Sequence, residues 1–74
     1  MDGLIEGRIV HFVMPNMRHR AAIVANIVDK YKGVCDLFVL GMPDDGMGGF
    51  MMNLGTEFDE HKKPLTWHWI ERAE

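Results

Sequence analysis

The chain has 74 residues, a formal net charge of −3 and a single cysteine, Cys35. This length limits it to one domain, spanning residues 1–74, and one cysteine excludes an intrachain disulfide. The acidic balance argues against a protein that coats duplex DNA, because such proteins need a basic face to displace counterions. The apolar run around Cys35 predicts a reduced, buried thiol in a cytoplasmic protein.

The chain carries no sign of membrane targeting. Its start, MDGLIEG, is acidic and lacks the basic and apolar regions of a signal peptide. No stretch reaches the roughly 18 consecutive apolar residues that a membrane span needs. We therefore expect no membrane partner.

Short apolar and β-branched segments predict strands in chain order at residues 7–14, 21–29, 34–40, 50–54 and 66–70. Pro15-Asn16 and the segment DKYKG supply turn signals between the first three. No segment has an apolar stripe at helical spacing over a useful length. The sequence therefore predicts an all-β fold, a small five- to six-stranded antiparallel SH3-like barrel, since closure removes the exposed edges of a short sheet.

Both tryptophans lie near the end of the chain, in the segment TWHWI. On a strand Trp67 and Trp69 point to one face and His68 to the other. At least one tryptophan is expected to seal the barrel, since each ring can bury about 150–250 Å². The alternative is a site where Trp67 or Trp69 stacks on a nucleobase.

The segments GRIVHFVM, HRAAIVANIVD, VCDLFVLG and TWHWIE together resemble a family of small uncharacterised bacteriophage and prophage proteins. That family has the pattern GRIVHY, HRPAIVV and TWHWPE, and the resemblance covers nearly the whole chain. It implies a compact SH3-like β-barrel of phage origin in the cytoplasm of an infected bacterium, and it implies no catalytic activity. The chain departs from the pattern at Ala21, Phe38 and Ile70, which makes it more apolar and points to self-association.

Three cationic or aromatic side chains follow one another in the segment NMRHRA. Arg18, His19 and Arg20 could form an anion clamp, because arginine grips phosphate with a planar fork of donors. The alternative is a solvated loop in which these residues pair with acidic side chains, Asp59 and Glu60 among them. The ligand-binding prediction therefore comprises Arg18, His19, Arg20, Trp67, His68 and Trp69.

The sequence predicts neither a metal site nor a cofactor. The four histidines, His11, His19, His61 and His68, lack the close spacing of zinc ligands along the chain. A hydrogen-bonded neutral histidine is the expected state of both His11 and His68. Asp44 and Asp45 fit a turn, in which Asp bonds its own backbone. With no triad or cofactor fingerprint, we expect a protein that is not an enzyme.

These observations predict a phage-encoded binding protein that forms a homo-oligomer through Phe38, Met47, Met51 and Met52. Its expected ligand is a small anionic nucleotide, for example a cyclic-nucleotide immune signal that is sequestered without hydrolysis. One alternative is an inhibitor that contacts a host defence enzyme through the methionine-rich loop at residues 41–49. Another is a structural or accessory module of the phage particle.

Overall fold

A computed structural model describes residues 1–71 as a five-stranded antiparallel sheet. The strands are β1 (Ile9–Val13), β2 (His19–Asp29), β3 (Val34–Leu40), β4 (Phe50–Thr56) and β5 (Trp67–His68). Their order across the sheet is β4-β3-β2-β1-β5. Within the described part of the chain the only helical element is a 3-10 turn at Pro43–Asp45. The all-β prediction is confirmed.

The strands follow from side-chain alternation and turn chemistry. In β3 the buried residues Cys35, Leu37 and Val39 alternate with half-buried ones, which is the period of a strand with one face on the core. The turn before β3 ends at Gly33, whose φ of 77° suits glycine and whose N–H donates to the Asp29 carbonyl at 2.9 Å. The predicted hairpin between β2 and β3 is thus present, with β3 at its predicted bounds.

One face of the sheet carries the core. Its fully buried strand residues are Val10, Phe12, Ala22, Val24, Cys35, Leu37, Val39 and Trp67. Leu4, which precedes β1, and Met14, which follows it, are also fully buried and join the same cluster. The buried position of Cys35 agrees with the prediction of a buried thiol.

The sheet is open rather than closed, so the SH3-like barrel stays a prediction. The chain after β4 does approach the far edge, where Phe58 and Trp67 form an isolated parallel bridge. There the Trp67 N–H donates to the Glu57 carbonyl at 3.0 Å, and the Asp59 N–H donates to the Trp67 carbonyl at 2.9 Å. This bridge brings the two ends of the sheet together at one point.

None of the helical structure in residues 1–71 is long and apolar enough to cross a membrane.

The face of the sheet opposite the core, which we call the outer face, carries an apolar row across four strands. Register places Ile9 opposite Ile23, Ile23 opposite Phe38, and Phe38 opposite Met52. Ile9 and Met52 are about half exposed, at 52% and 49%.

Candidate functional site

Trp67 lies in the core. Its ring is fully buried, and the indole N–H donates to the Gly33 carbonyl oxygen at 2.7 Å. Phe58 and Trp69 contact it edge to face, with ring centroids 5.0 Å and 4.9 Å away. Burial on this scale with a satisfied N–H is what a large core anchor requires. Of the two tryptophans, Trp67 takes the sealing role.

Trp69 lies at the surface end of this aromatic pair and forms one wall of a groove. The groove has a volume of about 590 Å³. Its lining residues are Ile5, Glu6, Gly7, Arg8, Ile9, Trp69 and Ile70. Trp69 is half-buried, so one part of the indole packs on the core while another part faces the groove. We call this the Trp69 groove.

The segment that forms the other wall of the Trp69 groove is fixed by backbone hydrogen bonds. The Gly7 N–H donates to the Val24 carbonyl at 2.7 Å, and the Val24 N–H donates to the Arg8 carbonyl at 2.9 Å. Gly7 has a φ of 89°, a conformation that L side chains rarely adopt. These contacts attach the wall to β2 and hold it beside the end of β5.

Arg8 supplies the positive charge of this groove. Its guanidinium carbon lies 5.4 Å from the centroid of the Trp69 ring, which is cation–π geometry. Within residues 1–71 Arg8 forms no salt bridge. Glu6 also lines the groove and offers a hydrogen-bond acceptor. The groove therefore combines an indole, isoleucine side chains, one cation and one acceptor.

The three residues of the predicted anion clamp do not converge. Arg20 forms a two-pronged ion pair with Asp45, with Nε to Oδ2 and Nη2 to Oδ1 both at 2.8 Å. Arg18 is exposed, and His19 turns toward two other histidines. Arg20 therefore pairs with an acidic side chain, as the alternative prediction for this segment stated. Its partner is Asp45 rather than Asp59 or Glu60.

Asp45 is buried, with 2% of its surface exposed, and it organises the loop that follows β3. Beyond Arg20, its carboxylate accepts the Met42 N–H at 2.8 Å and the Asn16 side-chain amide at 3.2 Å. The Arg20 guanidinium, followed by the Met42 N–H, holds the pKa of Asp45 well below its ordinary value. Asp45 therefore acts as a structural carboxylate, and its neighbour Asp44 is exposed.

Three histidines from three different strands meet at one corner of the outer face. His11 lies on β1, His19 begins β2, and His68 ends β5, directly opposite His11 in register. One ring nitrogen from each lies within 4.8 Å of the others. We call this set the histidine cluster.

Burial lowers the pKa of His68, and the charges of His19 and His11 lower it further. Burial also lowers the pKa of His11, with His19 as the next cause. Both pKa shifts favour the neutral form of these two imidazoles. His68 has 3% of its surface exposed, and among residues 1–71 neither of its ring nitrogens has a hydrogen-bond partner. The hydrogen-bonded state expected for His68 is therefore absent from residues 1–71.

The four residues predicted for a subunit interface divide into two pairs. Phe38 and Met52 lie opposite each other on the outer face. Met47 and Met51 are partly buried and pack against the core. Exposed neighbours on β4, Phe50 at 70% and Leu54 at 72%, extend the apolar surface beside Met52.

Sequence reasoning missed Arg8 and the role of His11 in the histidine cluster. Arg8 gave no signal, because a lone arginine beside a predicted strand is usually solvated. His11 and His68 could have been connected only through the pairing of β1 with β5, which joins residues 57 positions apart. Comparisons with protein-family models, with curated proteins and with solved structures gave no significant match.

Proposed function

We propose that this protein is a non-enzymatic binding protein that holds a small planar anion of the nucleotide class in the Trp69 groove. The observation that carries the proposal is the pairing of an indole wall with the Arg8 guanidinium, 5.4 Å from the ring centroid, which forms no salt bridge within residues 1–71. Base–aromatic stacking contributes about 1–3 kcal/mol per base, and arginine recognises phosphate oxygens bidentately. A nucleotide carries both a base that can stack on the indole and a phosphate that can bind the guanidinium.

The groove size suits such a ligand. Small-molecule sites typically enclose about 300–1,000 Å³, and this groove has about 590 Å³. Ile5, Ile9 and Ile70 supply apolar walls and are each about half exposed, at 54%, 52% and 49%. Glu6 can accept a hydrogen bond from a base amine or a sugar hydroxyl. The groove thus provides one contact for each part of a nucleotide.

The biological setting of this proposal comes from the resemblance to phage proteins. A phage-encoded domain that binds a nucleotide without hydrolysing it would sequester a signal of bacterial defence, a cyclic nucleotide in particular. Neither Arg18 nor Arg20 belongs to the Trp69 groove. Arg20 is bound to Asp45, and Arg18 is not among the residues that line the groove. The proposal therefore moves the anion contact from the NMRHRA segment to Arg8.

Calorimetric titration with mono-, di- and cyclic nucleotides at two salt concentrations tests the proposal. We expect saturable binding of one nucleotide class that weakens as salt increases. Arg8→Gln should weaken it about tenfold or more, and Arg18→Gln is the matched control because Arg18 is exposed elsewhere. Absence of binding across the panel, or equal losses in both variants, would overturn the groove as an anion site.

A second candidate function, contact with a host protein through the methionine-rich loop, has its own supporting observation. An apolar depression of about 330 Å³ is lined by Gly41, Met42, Pro43, Gly48, Gly49 and Phe50. Met42 and Phe50 are exposed there, at 49% and 70%. Binding of a host protein that is lost in Met42→Glu and unaffected by Arg8→Gln would favour this function over nucleotide sequestration.

A further inference from the structure

The histidine cluster lies apart from the Trp69 groove and is not needed for the function proposed above. Its rings come from three adjacent strands, β2, β1 and β5. Ring centroids are 4.7 Å apart for His19 and His68, 5.5 Å for His11 and His68, and 6.1 Å for His11 and His19. All three pairs meet edge to face, and one ring nitrogen of each histidine lies within 4.8 Å of the other two.

His68 provides an independent indication that this point holds a ligand. A buried polar atom without a partner destabilises the fold, and folded proteins rarely leave one unsatisfied. His68 is 3% exposed and both of its ring nitrogens lack a partner within residues 1–71. A metal ion accepts a lone pair from an imidazole nitrogen. Such an ion would give a His68 nitrogen the partner that it lacks within residues 1–71.

We propose that His11, His19 and His68 bind a divalent transition-metal ion, with Zn²⁺ as the preferred ion. Three histidines are an established ligand set for zinc, with Zn–N distances of about 2.0–2.1 Å. Such distances place tetrahedral ligand nitrogens about 3.3–3.4 Å apart. Metal binding would have to bring the nitrogens from up to 4.8 Å to this separation, and His19, which is exposed, can supply part of that movement by side-chain rotation.

The preference for a transition metal follows from the donor set. Neutral imidazole suits zinc, copper and nickel, whereas magnesium and calcium require oxygen ligands. Because zinc takes four tetrahedral ligands, three histidines leave one position for water or an added ligand, and the exposed His19 places the site near solvent. The site would therefore be accessible from outside the protein.

Glu71 is the carboxylate beside the histidine cluster. Its Oε1 lies 3.6 Å from Nε2 of His68, and the same oxygen pairs with the Lys62 ammonium. Carboxylates beside metal-ligating histidines fix the ring orientation and raise the basicity of the ligand nitrogen. Glu71 is placed to act as a positioning residue for His68, and Lys62 in turn holds Glu71.

A bound metal would connect the weakest strand to the rest of the sheet. β5 contains only two residues and pairs with β1 at two positions, one of which is His11 with His68. Metal ligands on β5, β1 and β2 would cross-link these three strands. Metal binding should therefore raise the unfolding temperature as well as occupy the site.

The test begins with protein purified without metal-affinity resin and dialysed against a chelator. Zn²⁺ is then titrated by calorimetry, and Co²⁺ is titrated while visible absorption is recorded, because Co²⁺ in tetrahedral nitrogen ligation absorbs strongly. We expect one ion per chain, a tetrahedral Co²⁺ spectrum that Zn²⁺ abolishes, and a rise in Tm of about 10 °C at hundredfold excess over Kd.

Two variants show whether the histidine cluster is responsible. His19→Gln changes an exposed residue and should leave the fold intact while weakening Zn²⁺ binding more than about 100-fold, beyond the loss typical of a supporting residue. His61→Gln is the matched control, since the His61 side chain is 82% exposed and lies outside the cluster. Glu71→Gln should weaken binding about 10–100-fold.

Three results would overturn the proposal. They are an absence of saturable Zn²⁺ binding by the dialysed protein, an octahedral Co²⁺ spectrum, and equal weakening by His19→Gln and His61→Gln. None of them bears on nucleotide binding, because the Arg8 variants report on a separate surface.

Discussion

Arg20 and Asp45, 25 residues apart in the sequence, form a two-pronged ion pair in which both nitrogen–oxygen distances are 2.8 Å. The pair joins the start of β2 to the 3-10 turn that follows β3. The Asp45 side chain is fully shielded from solvent, and that of Arg20 is 22% exposed. Arg20, which the sequence predicted to bind an anionic ligand, thus binds the Asp45 carboxylate of the same chain.

Replacing Asp45 should destabilise the protein and remove part of its sensitivity to acid. The Arg20 guanidinium holds the pKa of Asp45 below its ordinary value of 3.8, so the unfolded chain takes up a proton at a higher pH than the folded chain does. The pair therefore stabilises the fold fully above about pH 5, and this stabilisation is lost as the pH falls below about 4.

Thermal unfolding of Asp45→Asn between pH 2 and pH 7 measures both effects. We expect Tm at pH 7 to fall by about 10 °C, because Arg20 is left without its carboxylate. The difference between wild type and variant should shrink as the pH approaches 2. Asp44→Asn is the matched control, since Asp44 is exposed, and a similar loss in both variants would contradict the role of the pair.

Trp67→Phe should destabilise the protein much more than Trp69→Phe. The change removes the N–H that donates to Gly33 at 2.7 Å and leaves space beside a fully buried ring. We expect a loss of about 2–3 kcal/mol in the free energy of unfolding, measured by urea denaturation with circular dichroism. Trp69 is half-buried, so its variant should lose less, and the opposite order would show that the sealing role belongs to Trp69.

Cys35 should resist thiol reagents in the folded protein. Burial raises its pKa to about 11, with the Asp36 charge as a second cause, so very little thiolate forms at pH 8. Labelling with a chromogenic disulfide should be slow in buffer and fast in urea. Rapid labelling of the folded protein at pH 8 would contradict the buried position of this strand.

We propose that the outer face of β3 and β4 mediates self-association, which multi-angle light scattering can test. Phe38, Phe50, Met52 and Leu54 are its apolar residues, and β4 is an edge strand of the sheet formed by residues 1–71. Met52→Glu should convert an oligomer to monomer. Tyr31→Glu, at a loop residue that is 89% exposed, should leave it assembled, and a monomeric wild type would contradict the proposal.

Local sequence patterns were sufficient to predict the strands. The apolar run at residues 34–40 gave the bounds of β3 directly, since glycines stand on both sides of it, and the structure then buries Cys35, Leu37 and Val39 on one face. β2 begins two residues before its predicted start, since Arg20 and His19 pair with Phe12 and Val13 although their polarity suggested a loop.

The candidate sites could not be predicted in the same way, because they depend on pairings between distant segments. His11 and His68 become neighbours only through the register of β1 with β5, which nothing local to either segment determines. Arg8 meets Trp69 because the chain leaves the sheet after β5 and passes beside the segment before β1. Metal-ligand spacing along the chain is informative only when the ligands share one element.

The most direct test of nucleotide binding in the Trp69 groove is a two-dimensional ¹⁵N–¹H NMR titration with the nucleotide that binds tightest in calorimetry. We expect the largest shifts on the Gly7 and Arg8 amides and on the Trp69 indole N–H, whereas the signals of the buried Trp67 indole and the Arg18 amide should change little. Shifts centred on Arg18 and His19, or no shifts at saturating nucleotide, would contradict it.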